Sequence, residues 1–197
     1  SLFKLKCGLC GLKNVSFNFS QNSLASLQVS TLFGRISEKV ISLDLSNNRI
    51  WYINDHSLTG TVNMKYLSLD SNRLTNISSQ MFESLRSVTT LQLSNNKIQK
   101  IHPRSLVFMV SLHYFDASKN LLESLPYGLF SKSSLLKRII LNGNLFDHLK
   151  RSTFGGLSDL VHLETISFTN TPTFKSMEYQ ATNNLPKQVN LILPELT

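Results

Sequence analysis

The sequence predicts an α/β solenoid, a horseshoe arc with a concave parallel β-sheet and an irregular or 3-10 convex side. Three observations lead there. The 197 residues are dominated by two residue types, 34 Leu and 18 Asn. Those residues recur at a fixed interval, the mark of a repeat architecture. Gly and Pro number only 8 and 5, too few for a collagen-like or low-complexity chain. With 41% hydrophobic and 16% charged residues, the chain is too apolar to be disordered and large enough to bury a core. No apolar stretch approaches the roughly 18 residues that span a membrane.

The interval is explicit. Val40, Leu43, Leu45, Asn48 and Ile50 fit the template LxxLxLxxNxL, as do Met64, Leu67, Leu69, Asn72 and Leu74. Three more copies begin at Val88, Leu112 and Leu136, each 24 residues after the last. Phe17, Phe19, Asn22 and Leu24 form a weaker copy upstream. Leu163, Ile166 and Phe168 form another downstream, with Thr171 where Asn is expected. A last strand is expected through Leu191–Leu193. The reading is a cap segment at 1–13, seven repeats over 14–187 and the start of a truncated eighth at 188–197.

In LxL the two apolar side chains point the same way, because strand residues alternate faces. They enter the interior and the residues between them face out. Each lap adds one short strand, so the strands stack in parallel. Asn22, Asn48, Asn72, Asn96, Asn120 and Asn144 follow the strands, where the chain turns inward. Buried backbone groups there need partners. An amide side chain donates and accepts, so a ladder of Asn can serve neighbouring turns. Further apolar columns (Ile53, Ile77, Ile101, Leu125, Leu149 and Leu58, Phe82, Leu106, Phe130, Phe154) should close each lap on the convex side as a stacked spine. Turns or short 3-10 pieces suit the space available.

This pattern resembles the leucine-rich repeat over nearly the whole chain. Repeats of 24 residues with a Phe spine are similar to the extracellular type. The string from Ser37 to Ile50 (SEKVISLDLSNNRI) resembles the first repeat of Toll-like receptor ectodomains. The irregular later copies, around Thr169–Lys175 and Val189–Leu193, are similar to the lipopeptide-sensing branch. The resemblance implies an ectodomain fragment of an extracellular, cell-surface or endosomal receptor in innate immunity. It implies a protein or microbial ligand, receptor homo- or heterodimers at full length, and membrane attachment only through segments outside this sequence. In that branch the ligand pocket lies further along the solenoid. Extracellular arrays end in a Cys-rich cap, and no Cys follows Cys10. The chain is therefore read as the N-terminal part of a larger ectodomain. The motif LDLSNN also occurs in secreted and cell-surface adhesion and matrix proteins, which is the alternative reading.

Cys7 and Cys10 precede the first lap. A redox pair, half a zinc site, two free thiols and an N-terminal cap disulfide all fit the spacing. The cap disulfide is favoured, since the first edge needs covering and secreted proteins keep such bonds. Its partner assignment stays open. Asn14, Asn18 and Asn76 head Asn-x-Ser sequons. Asn76 sits at an outward position and is the best candidate. A sugar on Asn18 would project onto the concave face.

Outward strand positions bring Tyr66, His113, Tyr114, Lys137 and Arg138 onto one concave surface, a candidate partner site with the Tyr and Arg that favour binding. With 20 Lys+Arg against 12 Asp+Glu the net charge is +8. Lys132, Lys137, Arg138, Lys150 and Arg151 fall within two laps and could attract a phosphate-rich partner. No recognised nucleic-acid module accompanies them, so nucleic acid is not the expected partner. Trp51 and Tyr52 follow Ile50; Trp51 could stand as a partly exposed edge contact, and packing against the neighbouring lap is the expected role. The sequence contains no HExxH, GxSxG, GxxxxGK[ST] or GxGxxG, and the His residues lack metal-ligand spacing. No catalytic residues, metal or cofactor are expected.

Overall fold

The computed structural model describes residues 13–28 and 32–194. Cys7 and Cys10 lie outside them. Among the described residues fourteen strands follow one another: β1 (Val15–Asn18), β2 (Ser26–Leu27), β3 (Val40–Asp44), β4 (Tyr52–Ile53), β5 (Tyr66–Ser68), β6 (Asn76–Ile77), β7 (Thr90–Gln92), β8 (Lys100–Ile101), β9 (Tyr114–Asp116), β10 (Arg138–Ile140), β11 (His148–Leu149), β12 (Thr165–Ser167), β13 (Ser176–Met177) and β14 (Asn190–Ile192). Eight of them form one parallel sheet in the order β1-β3-β5-β7-β9-β10-β12-β14. The register is the one the period requires. Leu43, Leu67, Leu91, Phe115, Ile139, Ile166 and Leu191 pair in sequence across the sheet. A shift by one residue would turn every one of these side chains outward.

The interior is continuous. Leu43, Leu67, Leu91 and Phe115 are fully buried, as are Leu69, Leu141 and their neighbours in the second apolar column. Full burial of one such side chain contributes about 1.5–3 kcal/mol. The convex column is buried as expected at Leu58, Phe82, Leu106, Phe130 and Phe154. Two of its rings also meet aromatic partners outside the column. Phe130 meets Phe115 edge-to-face at 5.1 Å, and Phe154 meets Phe168 at 6.1 Å. Both ring partners, Phe115 and Phe168, belong to the sheet-side columns. The convex side carries turns and short 3-10 segments at Gly34–Lys39, Arg151–Phe154 and Ala181–Asn184, with no α-helix among the described residues.

The Asn ladder joins one lap to the next. The Asn96 amide nitrogen donates to Leu69 O (2.9 Å) in the preceding lap and to Leu93 O and Ser94 O (both 3.1 Å) in its own. Its Oδ1 accepts from Leu74 N–H at 3.0 Å. Asn72 and Asn120 repeat the whole arrangement. Asn48 and Asn144 make the same donation backwards and accept from Leu24 N–H and Leu122 N–H. Asn22 is an exposed first rung, bonded only to Phe19 O and Ser20 O of its own lap. Thr171 keeps one of these bonds, from its hydroxyl to Phe168 O at 2.6 Å.

The residue before each rung has positive φ: Gln21, Asn47, Ser71, Asn95, Lys119, Gly143 and Asn170, between 52° and 66°. This left-handed step turns the chain off the strand and aims the next amide inward. Asn and Gly tolerate it, which explains the repeated Asn-Asn pairs. Shorter strands pair on a second flank, β2 with β4, β6 with β8 and β11 with β13.

Candidate functional site on the concave face

The strands place the predicted surface in one row. Tyr66, Thr90, Tyr114, Arg138 and Thr165 are consecutive register partners. Strands lie about 4.8 Å apart, which sets Tyr66 and Tyr114 about 10 Å from each other with only Thr90 between. Both tyrosines are half-buried and Arg138 is exposed. The Tyr66 hydroxyl donates to Gln92 Oε1 at 2.5 Å, and the Tyr114 hydroxyl to Asp116 Oδ2 at 3.3 Å. Lys137 is exposed one position before Arg138. His113 stands at the matching position of the previous lap, and its Nδ1 lies 2.7 Å from Ser111 O. The His113 carbonyl accepts from both Lys137 N–H and Arg138 N–H, so these residues are fixed to each other by backbone.

The surface also has an acidic half, of which Asp44 and Asp116 fall on outward strand positions legible in the sequence and Asp70 does not. Asp44 and Asp116 occupy the second outward column, aligned through Ser68 and Gln92. Asp70 lies two residues beyond Ser68 and reaches across to the next lap, accepting from Ser94 N–H at 2.7 Å. Asp44 and Asp116 instead accept from Ser46 and Ser118 N–H in their own laps. Burial raises the pKa of Asp70, against the hydrogen bonds from Ser94, and the Asp116 charge raises it further. Burial also raises the pKa of Tyr66, with Asp44 and Asp70 adding to the effect and a bond with Ser68 opposing it. For Tyr114 burial again leads, followed by Asp116, while Arg138 opposes. Both tyrosines therefore stay protonated donors at neutral pH.

The five basic residues of the C-terminal laps do not make one stripe. Lys137 and Arg138 stand at the concave sheet, Lys150 and Arg151 follow the flank strand β11, and Lys132 lies in a convex turn. Closeness in sequence distributes them around the lap rather than along a face. Among the described residues no group of three or more His, Cys, Asp or Glu could hold a metal ion. Within the same residues no helix is long and apolar enough to cross a membrane.

The sequon residues separate. Asn14 and Asn18 are exposed at β1, and Asn18 Oδ1 accepts from Ser20 N–H and Oγ–H. Asn76 is exposed on the flank strand β6. Trp51 and Tyr52 are 57% and 41% exposed, which fits the edge contact of the two readings and not a packed position. The inward position on that flank is taken by Ile53.

The raised pKa of Asp70 carries a consequence for stability. A carboxyl whose pKa is higher folded than unfolded binds more protons in the native state, so stability falls as pH rises through its folded pKa. Asp70→Asn keeps an oxygen for Ser94 N–H and removes the buried charge. It is expected to match or exceed the wild type in urea unfolding at neutral pH. That advantage should shrink as the pH falls and the Asp70 carboxyl, its pKa raised by burial, takes up its proton. A variant weaker than wild type at every pH would contradict this.

Comparison with known proteins agrees with the geometry. The family described as leucine rich repeat matches residues 62–122. Among solved structures 340 chains match. One, the crystal structure of a TLR13–ssRNA13 complex, aligns over 78% of this chain with a TM-score of 0.65 and 18% sequence identity. No curated protein sequence matches. Residues 62–122 thus match the leucine rich repeat family, and the solenoid has the same fold as part of that receptor chain. The aligned part is 25% of that receptor chain's length.

Proposed function

We propose that the chain is part of the ectodomain of a pattern-recognition receptor, exposed outside the cell or in endosomes, and that it works as a non-enzymatic binding scaffold. The observation that carries this reading is the row Tyr66–Thr90–Tyr114–Arg138, held in register on a rigid concave sheet. Tyr and Arg offer large, preorganised contact area, and here the backbone fixes them before any ligand arrives. The likeness to a receptor crystallised with single-stranded RNA supports the receptor class. The carboxylates of Asp44, Asp70 and Asp116 beside the tyrosines oppose a phosphate chain on these laps. They favour a protein or other microbial ligand carrying donors or positive charge. The division into a cap at 1–13, seven repeats over 14–187 and an eighth beginning at 188 belongs to the same reading.

Binding of lipopeptide, protein and single-stranded RNA ligands to the secreted chain tests it. Tyr114→Ala and Arg138→Ala are expected to weaken the productive ligand by about tenfold or more, as hot-spot truncations do. Undiminished binding in both variants would remove the concave row from the site. Binding that collapses with salt in the manner of phosphate contacts would instead favour nucleic acid. Capture of one host matrix protein with no microbial ligand would favour an adhesion role.

A further inference from the structure

On the flank of the solenoid the chain's single tryptophan stands in the open. Trp51 is 57% exposed and Tyr52 41%, their rings 5.7 Å apart and tilted by 38°. The flank explains why. β2 pairs with β4 and β6 with β8, but β4 does not pair with β6. Trp51 N–H and Asn54 N–H bond back to Ala25 O and Leu27 O, while Thr75 O and Ile77 O receive Gln99 N–H and His102 N–H from the following lap. Between β4 and β6 the laps are joined at one end by Arg73 N–H to Ile50 O at 2.8 Å. At the other end the Ser78 hydroxyl donates to Asp55. A groove of 390 Å³ opens between these two links, walled by Trp51, Tyr52, Leu74, Asn76 and Met81. That volume is at the small end of ligand clefts, which run about 300–1,000 Å³.

Asn76 is the sequon residue, and it forms part of this wall. Tyr52 and Asn76 hold the same place in successive laps, each the exposed member of an exposed–buried pair. The Asn76 amide is on the surface, with a single side-chain contact to Thr75 Oγ1 at 3.0 Å. We propose that Asn76 carries an N-linked glycan and that its first sugars lie in this groove against Trp51 and Tyr52. A pyranose ring has an apolar C–H face that suits an aromatic ring, and its hydroxyls remain free for water and for Asp55 at the rim. Large exposed aromatics with a polar border mark an interaction surface. Attachment decides among occupants. A tethered sugar meets the groove at a high effective concentration, whereas a separate partner must find it from solution. The glycan covers the flank and leaves the concave row free, so recognition and shielding occupy different sides of each lap.

The proposal rests on the secretory route of the receptor reading, and the test separates the two. The chain is produced in a secretory eukaryotic host, and site occupancy is measured by peptide mass spectrometry. Trp51 emission and its quenching by acrylamide then report on the groove directly, since no other tryptophan contributes. Three forms are compared: the glycoprotein, the glycoprotein trimmed to one N-acetylglucosamine, and Asn76→Gln. Asn76 is expected to be occupied. Quenching in the first two forms should be about twofold weaker than in Asn76→Gln, with blue-shifted emission, as for a ring covered on one face. A double variant, Asn14→Gln with Asn18→Gln, should quench like wild type. Enzymatic removal of the glycan from the folded protein gives the same comparison if Asn76→Gln folds poorly. Sugar on Asn14 or Asn18 with none on Asn76 would overturn this site and leave the receptor reading standing. Equal quenching with and without the Asn76 glycan would overturn the contact.

Discussion

Asn96→Leu is expected to cost about 3–5 kcal/mol, the range reached when a buried hydrogen-bond network is broken. The substitution keeps roughly the same volume but removes every bond the amide makes. Leu69 O, Leu93 O and Ser94 O lose a donor, and Leu74 N–H loses its acceptor. The site is 8% exposed, so water does not easily take over. Two further variants separate chemistry from shape. Asn96→Asp keeps the acceptor for Leu74 N–H but faces three carbonyls with a carboxylate, and should be nearly as damaging at neutral pH. Buried against carbonyls, that carboxyl would have a raised pKa, so the variant should regain stability as pH falls and the group becomes a donor. Asn96→Thr should be milder, because Thr171 already shows a hydroxyl making the one local bond of this position. Urea unfolding followed by circular dichroism measures all three. A loss under about 1 kcal/mol for Asn96→Leu would mean that the ladder is not a principal connection between laps.

Leu91→Ala should cost about 2–5 kcal/mol, toward the upper part of that range. Leu91 is fully buried at the centre of the sheet, between Leu67 and Phe115 in the register column. The fully buried neighbours on both sides belong to separate laps pinned by their own ladder bonds, which limits collapse onto the gap. In a solenoid each lap contacts only its neighbours, so damage at one lap also uncouples the two sides. The same unfolding experiment should therefore show a broadened or split transition for Leu91→Ala. A single sharp transition of unchanged midpoint would contradict the packing described here.

The sheet was legible in the sequence because its determinants are local and periodic. The alternation of Leu43 and Leu45, repeated every 24 residues, sets which face is buried, and the Asn at a fixed offset sets where the chain turns. The pairing register needed nothing further. The flank strands were not legible, since a two-residue pair such as Tyr52–Ile53 carries no periodicity of its own. For the same reason the gap between β4 and β6 could not be read, and an exposed Trp51 was the less favoured of two readings. The concave row was legible in its members but only half in its charge. Tyr66, Tyr114 and Arg138 fall on outward strand positions, whereas Asp70 lies past the strand and joins the surface by reaching to Ser94 of the next lap. The five basic residues of the C-terminal laps spread for a related reason: neighbours in sequence on a lap of 24 residues point around the arc in different directions.

Amide hydrogen exchange at Ile50, Leu74, Ile98 and Leu122 tests the central claim most directly. Each of these N–H groups donates to the Asn side chain of the following lap, at Asn72, Asn96, Asn120 and Asn144. If successive laps are joined by that ladder, the four amides exchange only through global unfolding or through separation of whole laps, and as slowly as the central strand amides. Exchange of the four at the rate of surface turns, with the strands still protected, would contradict it.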